Sequence, residues 1–542
     1  MFNRFTICRA RSHRAATTAF TLLLVLAFLV GCTPQSSAPA APASEAPVAE
    51  EAAEAPSEPK AGGTLYIGQD FGPGTFDPHK NIAWASINIY ESIYNGLVKW
   101  NEDETELVPD LATSWEISDD GLTYTFKIRQ GVKFHNGREM TAEDVKFSLD
   151  RLRDPDISVF AANYSAIESV EVVDAETVQV NLSEPFGTLL LFLVDRYSII
   201  PEEAVETLET QPVGTGPFML EEYVLDQYVR LVKNPDYYEE GIPYLDAVEF
   251  KILSDEASKE AAIRSQSVDM AWFRDPRQAE ALANDLPNLV SAPGIPSRHI
   301  YIRLNMCEEP FNDVNVRRAF SVAMDREALV NTVIPPQYGG SVSGFVEPSS
   351  PFFWTGDEHP YYTHDVEQAK SLLAEAGYPD GITIDAYKVV AANQLDVDAA
   401  QVLEQQWAEA GIDVTIQPME VGQILADWNA GTGKMNQVGI TWEPDPDPRL
   451  YNIFHSSSAV AQAYCLNDTE LDELLERGRA STDRAERMEI YQAVQDRIAD
   501  QAYVLVLYGY PLRWETWYDY VEGYHNVPSN SRWHLRYTWL NK

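Results

Sequence analysis

The sequence predicts an α/β protein of at least two units. Three observations predict it. A helix followed by Gly and then a strand occurs twice in the second half, ending at Gly377 and again at Gly411, and this pattern marks an α/β domain. The segment 122–129 alternates strictly between apolar and polar residues, as a half-buried strand does. The local pattern also changes near residue 300, from strands and tight turns to helices alternating with strands. At roughly 100–200 residues per domain, 542 residues suffice for about two to four domains.

The N-terminus sets the compartment. Arg4, Arg9, Arg11 and Arg14 form a positive region, and 19–30 is an apolar run interrupted only by Thr21. That run falls short of the roughly 20 residues of a comfortable membrane span and reads as a signal peptide over 1–31. It ends Leu29-Val30-Gly31-Cys32, which resembles the bacterial lipobox; the resemblance implies a diacylated Cys32 as the mature N-terminus. Residues 32–60 are mostly Ala, Pro, Ser and Glu, with almost nothing to bury, and predict a flexible tether. No later apolar stretch is long enough to span a bilayer.

The first unit begins at the strand GGTLYIGQD, followed by a helix over 86–99 that stops at Asn95-Gly96. In the strand 122–129, Leu122, Tyr124, Phe126 and Ile128 share one face. Thr141 and Asp144 make a capping box for a helix with Val145, Leu149 and Leu152 on its apolar side. Strands near 170–173 and 178–182 complete a small sheet with helices on one side, over about 100–205. Strands and turns fill 210–300. Beyond 303, Asn312 or Asp313, then Asp325 and Asp365, stand where helix N-caps belong, and Gly377 and Gly411 stand at helix ends where a left-handed residue is needed. Strands follow at 382–388 and 412–417. Asp483 and Glu486 open a last helix, buried through Ile490, Val494 and Ile498, before a strand at 503–508.

Composition excludes some functions. The formal net charge of −43 repels phosphate backbones, so nucleic acid is a very poor partner. The four cysteines form no CxxC pair, which excludes a zinc ribbon and a thioredoxin-like site. Cys307 and Cys465 are free to pair in an oxidising compartment, and the sequence leaves open whether they meet.

No HExxH, GxSxG, P-loop or GxGxxG is present, and Gly214-Thr-Gly216 and Gly431-Thr-Gly433 read as turns. His359 and His364 lack metal spacing. The sequence therefore predicts no catalytic residues, no metal site and no cofactor. Its most unusual string is Glu443-Pro-Asp445-Pro-Asp447-Pro448, either a rigid acidic surface loop or a fixed carboxylate facing a cleft, able to accept charge-assisted hydrogen bonds from a ligand ammonium or hydroxyls.

Several stretches together resemble the extracellular solute-binding protein family 5, the peptide, nickel and oligosaccharide receptors of ABC importers. They are LVPDLATSWEISDDGLTYTFKIRQGVKFHNGREMTAEDVKFSLDRL (107–152), VGTGPF (213–218), PFNDVNVRRAFSVAMDREALV (310–330), LLAEAGYPDG (372–381) and TWEPDPDPRLYNIF (441–454). The resemblance spans roughly 62–540. It implies a two-lobed periplasmic-binding-protein-like fold (class II, cluster C type) with an extra inserted α+β subdomain in lobe one. Lobe one would comprise 61–98, 206–300 and 511–542, the insert 99–205 and lobe two 301–510, with hinge passages near 300 and 510.

Peptide-binding members pair the peptide ammonium with an Asp three residues after a Trp on the second lobe. Trp442 and Asp445 stand in that relation here, in a string one residue shorter than the family pattern. Dipeptide-type members also hold the ligand carboxylate with an Arg on that lobe. No Arg occurs between Arg326 and Arg449, which argues against a short peptide held at both ends. Trp84, Trp272, Trp354 and Trp442 fall in loops or at element ends, where aromatic faces can line a cleft or simply pack.

The resulting expectation is a monomeric lipoprotein outside the cytoplasm, anchored through Cys32. It captures peptides, or else oligosaccharides, for an ABC permease and ATPase complex. Nickel ranks third for want of a His cluster. A secreted hydrolase and a sensory lipoprotein are the alternatives from other classes.

Overall fold

The computed structural model describes residues 58–542 apart from 82–83, 196, 343, 347–349, 351, 355, 357–358, 442–444, 528 and 530. The signal peptide, Cys32, nearly all of the tether and Trp442 lie outside the described residues. Among the described residues no helix is long and apolar enough to cross a membrane.

A seven-stranded sheet forms around strand Thr64–Gln69. Its order is Leu289–Pro293, Trp514–Tyr518, Met270–Phe273, Thr64–Gln69, Ala247–Ile252, Tyr228–Lys233, Phe218–Val224. The central strand is parallel to both neighbours, so its apolar residues are covered. Leu65, Ile67, Phe250 and Met270 share a core with Ile89 and Ile93 of helix Trp84–Ile93.

The alternating segment forms strand Thr123–Ile128 in a four-stranded antiparallel sheet with Ala112–Ile117, Thr177–Leu182 and Ile167–Asp174. Tyr124, Phe126 and Ile128 are buried against Val145, Leu149 and Leu152 of helix Ala142–Leu152. That helix begins as its spacing predicts, with the Thr141 amide donating to Asp144 Oδ2 at 2.9 Å.

A five-stranded sheet of order Ile412–Met419, Ile382–Val390, Met435–Thr441, Pro296–Leu304, Val504–Pro511 carries the second half. Asp313, Asp325, Asp365 and Asp483 each accept a backbone amide at a helix start, from Asn315, Ala328, Gln368 and Ala485. Gly377 and Gly411 take φ of +93° and +78° at two helix ends, a region that side chains with a Cβ avoid. Cys307 and Cys465 are joined in a disulfide, which the sequence had left open.

The chain leaves the seven-stranded sheet for the five-stranded one between Pro293 and Pro296, and returns between Pro511 and Trp514. The sequence reading put these passages near 300 and 510; strand Pro296–Leu304 already pairs wholly within the second sheet.

Candidate functional site

The strand directions bring two sheet edges together. Thr64–Gln69 and Met270–Phe273 run parallel, so their carboxyl ends lie at one edge, where antiparallel Trp514–Tyr518 begins. In the other sheet, Ile382–Val390, Ile412–Met419 and Met435–Thr441 are mutually parallel and end at one edge, where antiparallel Pro296–Leu304 starts and Val504–Pro511 finishes. The two passages join these edges. Ligands of α/β sheets sit outside the carboxyl ends of strands, so the junction is the candidate site.

On the seven-stranded side the edge carries charge around one aromatic. Lys259 is fully buried and donates to Asp70 at 2.8 Å, to Glu256 at 2.9 Å and to the Trp272 carbonyl at 2.8 Å. Arg274 donates to the other Asp70 oxygen at 2.7 Å. The half-buried Trp272 ring has the Lys259 ammonium 4.1 Å from its centre and the Arg274 and Arg513 guanidiniums each at 5.1 Å.

On the five-stranded side, His299, Phe345, Val346, Asp445, Pro446 and Arg449 line a small cavity of about 230 Å³ including its mouth. Phe345 packs edge-on against His299 and Phe454, with ring centres 5.3 and 4.9 Å away. Nearby, Arg298 lies beside Tyr510 and Asp396. Burial pushes the Asp396 carboxyl up to about 6, and the charge of Arg298 pulls the other way.

The acidic string has a different role from the one its composition suggested. Asp445 is buried, and both its oxygens accept from Arg487, each at 2.6 Å, while one also accepts the Asp447 amide. Its charge is therefore already met inside the protein, so the expected open acceptor for a ligand ammonium is corrected to one half of a buried ion pair. Asp447 is likewise buried and accepts from Arg479 at 3.1 Å and the Tyr491 hydroxyl at 2.9 Å; burial raises its carboxyl above the usual range. The string thus grips helices Thr469–Ala480 and Arg484–Gln501.

The turn between those helices reaches the inserted region. The Gly187 amide donates to the Arg479 carbonyl at 3.1 Å, and Arg484 donates to the Thr105 carbonyl at 2.8 Å. A Cβ on Gly187 would lie 2.2 Å from the Ser481 carbonyl oxygen, so only glycine fits this contact.

Of the four tryptophans read as cleft candidates, Trp272 stands at the junction. Trp354 is half-buried and packs on Tyr362 and His359, at 5.3 and 5.7 Å between ring centres. Trp84 opens its helix, and its side chain, like all of Trp442, is outside the description. Sequence reasoning missed Arg298, Arg479, Arg487, Arg513 and Gly187. No local pattern marks them, because their partners lie far away in the chain.

A larger cavity of about 840 Å³, including its mouth, is lined by Tyr90, Tyr94, Lys99, Asp110, Trp533 and Arg536, among others. Its charges are paired internally: Lys99 donates to Glu239, and Asp110 accepts from Tyr238 and from Asn95. Among the described residues no group of three His, Cys, Asp or Glu side chains is arranged to hold a metal.

Two α/β bodies joined by two adjacent passages, with aromatic and charged groups gathered at facing strand ends, define a hinged solute-binding protein. The family model for bacterial extracellular solute-binding proteins, family 5, matches residues 106–460, and the chain belongs to that family. It is 32% identical to heme-binding protein A of Haemophilus influenzae over 79% of this chain and 84% of that one. It is 30% identical to the dipeptide-binding protein of Escherichia coli over 82% of this chain and 89% of that one. The solved structure of the oligopeptide-binding protein AppA of Bacillus subtilis, in complex with a nonapeptide, superposes with a TM-score of 0.71 at 28% identity, covering 90% of this chain and all of that one. The fold is therefore the two-lobed binding-protein fold expected from the sequence.

Proposed function

We propose that this protein captures peptides between its two lobes and delivers them, chemically unchanged, to an ABC permease and ATPase complex. The observation that carries the reading is the pair of facing strand-end edges joined by two passages, in a chain alike over nearly its whole folded length to a protein solved with a nonapeptide. Relatives named for oligopeptide and dipeptide binding support the same ligand class. Lobe one is the body around the seven-stranded sheet, with the 99–205 region inserted, and lobe two is the body around the five-stranded sheet. Trp84, Trp272, Trp354 and Trp442 are the proposed cleft-lining residues.

The protein works as a monomeric receptor, not an enzyme, outside the cytoplasm. A lipid on Cys32 holds it to the membrane. Calorimetry with ligand-stripped protein tests the ligand: a tripeptide library gives saturable heat and is recovered intact by mass spectrometry. Saturation by oligosaccharides alone, or cleavage of the peptides, rejects the reading. Cys32→Ser tests the anchor, with the protein expected to move from the membrane fraction to the soluble fraction.

A further inference from the structure

Nine basic side chains are buried among the described residues: Arg151, Lys259, Arg303, Arg317, Arg326, Arg487, Arg513, Arg532 and Arg536. Eight of them donate at least one hydrogen bond, to a carboxylate, a carbonyl or a hydroxyl. Arg513 is the exception. It is 5% exposed, its Nη1 is cut off from solvent without a hydrogen-bond partner, and among the described residues its guanidinium makes no ion pair. Leaving a guanidinium buried and unpaired is costly, so native proteins pair such groups.

Among the described residues no neighbouring carboxylate hydrogen-bonds to Arg513. Asp70 is held by Lys259 and Arg274. Glu515, two residues on in the strand that follows, faces Arg532 with both oxygens at 3.3 Å. Burial makes the Arg513 charge harder to hold; Glu515 and Asp70 partly offset this through space without hydrogen-bonding to it, and Arg532 repels it. Arg513 also has a location suited to ligand contact. It lies on the return passage between the lobes, and its guanidinium is 5.1 Å from the centre of the half-buried Trp272 ring at the cleft edge.

We propose that Arg513, backed by Trp272, is the cleft's carboxylate receptor, so that the captured solute presents an anionic carboxylate to lobe one. This deepens the peptide reading and rests on it for the class of ligand. The planar, five-donor guanidinium suits a bidentate carboxylate contact.

The test uses ligand-stripped full-length protein, wild type, Arg513→Gln and Arg513→Lys. Calorimetry compares a tripeptide library with free C-terminal carboxylates against the same library amidated. The wild type is expected to prefer the free acids by about ten- to a hundredfold, Arg513→Gln to lose that preference, and Arg513→Lys to keep part of it. An equal preference in Arg513→Gln, or none in the wild type, overturns the proposal. A second arm titrates acetate and succinate and follows the melting midpoint. Both raise it in the wild type and leave it unmoved in Arg513→Gln; identical responses in the two proteins overturn the carboxylate site even where peptides bind. If neither library binds but this second arm succeeds, the peptide reading alone fails. Ligand-free Arg513→Gln is expected to melt no lower than the wild type, since it loses an unpaired buried charge. A clear fall in its midpoint assigns Arg513 to the architecture of the hinge and overturns the proposal.

Discussion

Replacing Gly187 by alanine probes lobe closure at a single atom. Its backbone lies outside the left-handed region, so alanine is not strained locally. The new Cβ would sit 2.2 Å from the Ser481 carbonyl oxygen, where ordinary contact begins near 3.4 Å, so the turn of lobe two has to retreat by about 1 Å. That retreat stretches the Gly187–Arg479 hydrogen bond, now 3.1 Å, and the Arg484–Thr105 bond, now 2.8 Å. A neutral bond contributes about 0.5–1.5 kcal/mol net, and the exposed arginine adds an amount near the low end of the charged range. A loss of about 1–3 kcal/mol in closure corresponds to about 5- to 150-fold weaker apparent affinity, because ligand binding draws on the closed population. Calorimetry with the tripeptide library reads the affinity, small-angle scattering of the saturated protein reads the opening, and ligand-free melting reads the fold. The expected result is weaker binding, a larger radius of gyration and an unchanged melting midpoint. Arg484→Ala, which removes one bond without a clash, should give a smaller effect of the same sign. Wild-type affinity and scattering in Gly187→Ala would refute closure through this contact.

Other outcomes follow from the buried charges and the cross-link. Asp445→Ala strands Arg487 in the interior and should destabilise the protein by about 3–5 kcal/mol in denaturant unfolding; an unchanged stability with lost peptide affinity would instead restore Asp445 to the ligand. Converting both partners, Asp445→Leu with Arg487→Met, should recover much of that loss. His79 accepts from Arg151 on Nδ1 at 2.8 Å, and burial pulls its pKa down to about 4 from 6.5. Its stabilisation is therefore present above pH 6.5 and lost as the pH falls toward 4, worth up to about 3 kcal/mol. Asp396 acts in the opposite sense, since a raised carboxyl favours the protonated fold, but half-buried His135, also lowered to about 4 by desolvation, adds to His79. The melting midpoint should fall steadily from pH 6.5 to 4, and a rise over that interval would contradict the assignment. Cys307→Ser with Cys465→Ser opens a loop of 158 residues and should cost up to about 5 kcal/mol by the chain-entropy relation. An unchanged unfolding midpoint under oxidising conditions would show that the link does not constrain the unfolded chain.

The sequence by itself determined what is local or periodic. The alternation at Tyr124, Phe126 and Ile128 set a strand and its buried face, because a two-residue period leaves one face to cover. Asp313, Asp325, Asp365 and Asp483 marked helix starts, and Gly377 and Gly411 marked helix ends, because caps are satisfied within a few residues along the chain. The long block at 107–152 carried the family and, with it, the two-lobed architecture. The tertiary structure decided everything that depends on distant partners. Asp445 read as an open carboxylate until Arg487, far along the chain, took both its oxygens. Gly187 carried no signal until the Ser481 carbonyl came within reach of its missing side chain. Arg513 was one arginine among many until its neighbours proved to be paired with others. A charge acquires its meaning from its nearest countercharge, and in a chain that crosses twice between two sheets those neighbours are fixed by the crossings, not by the order of residues.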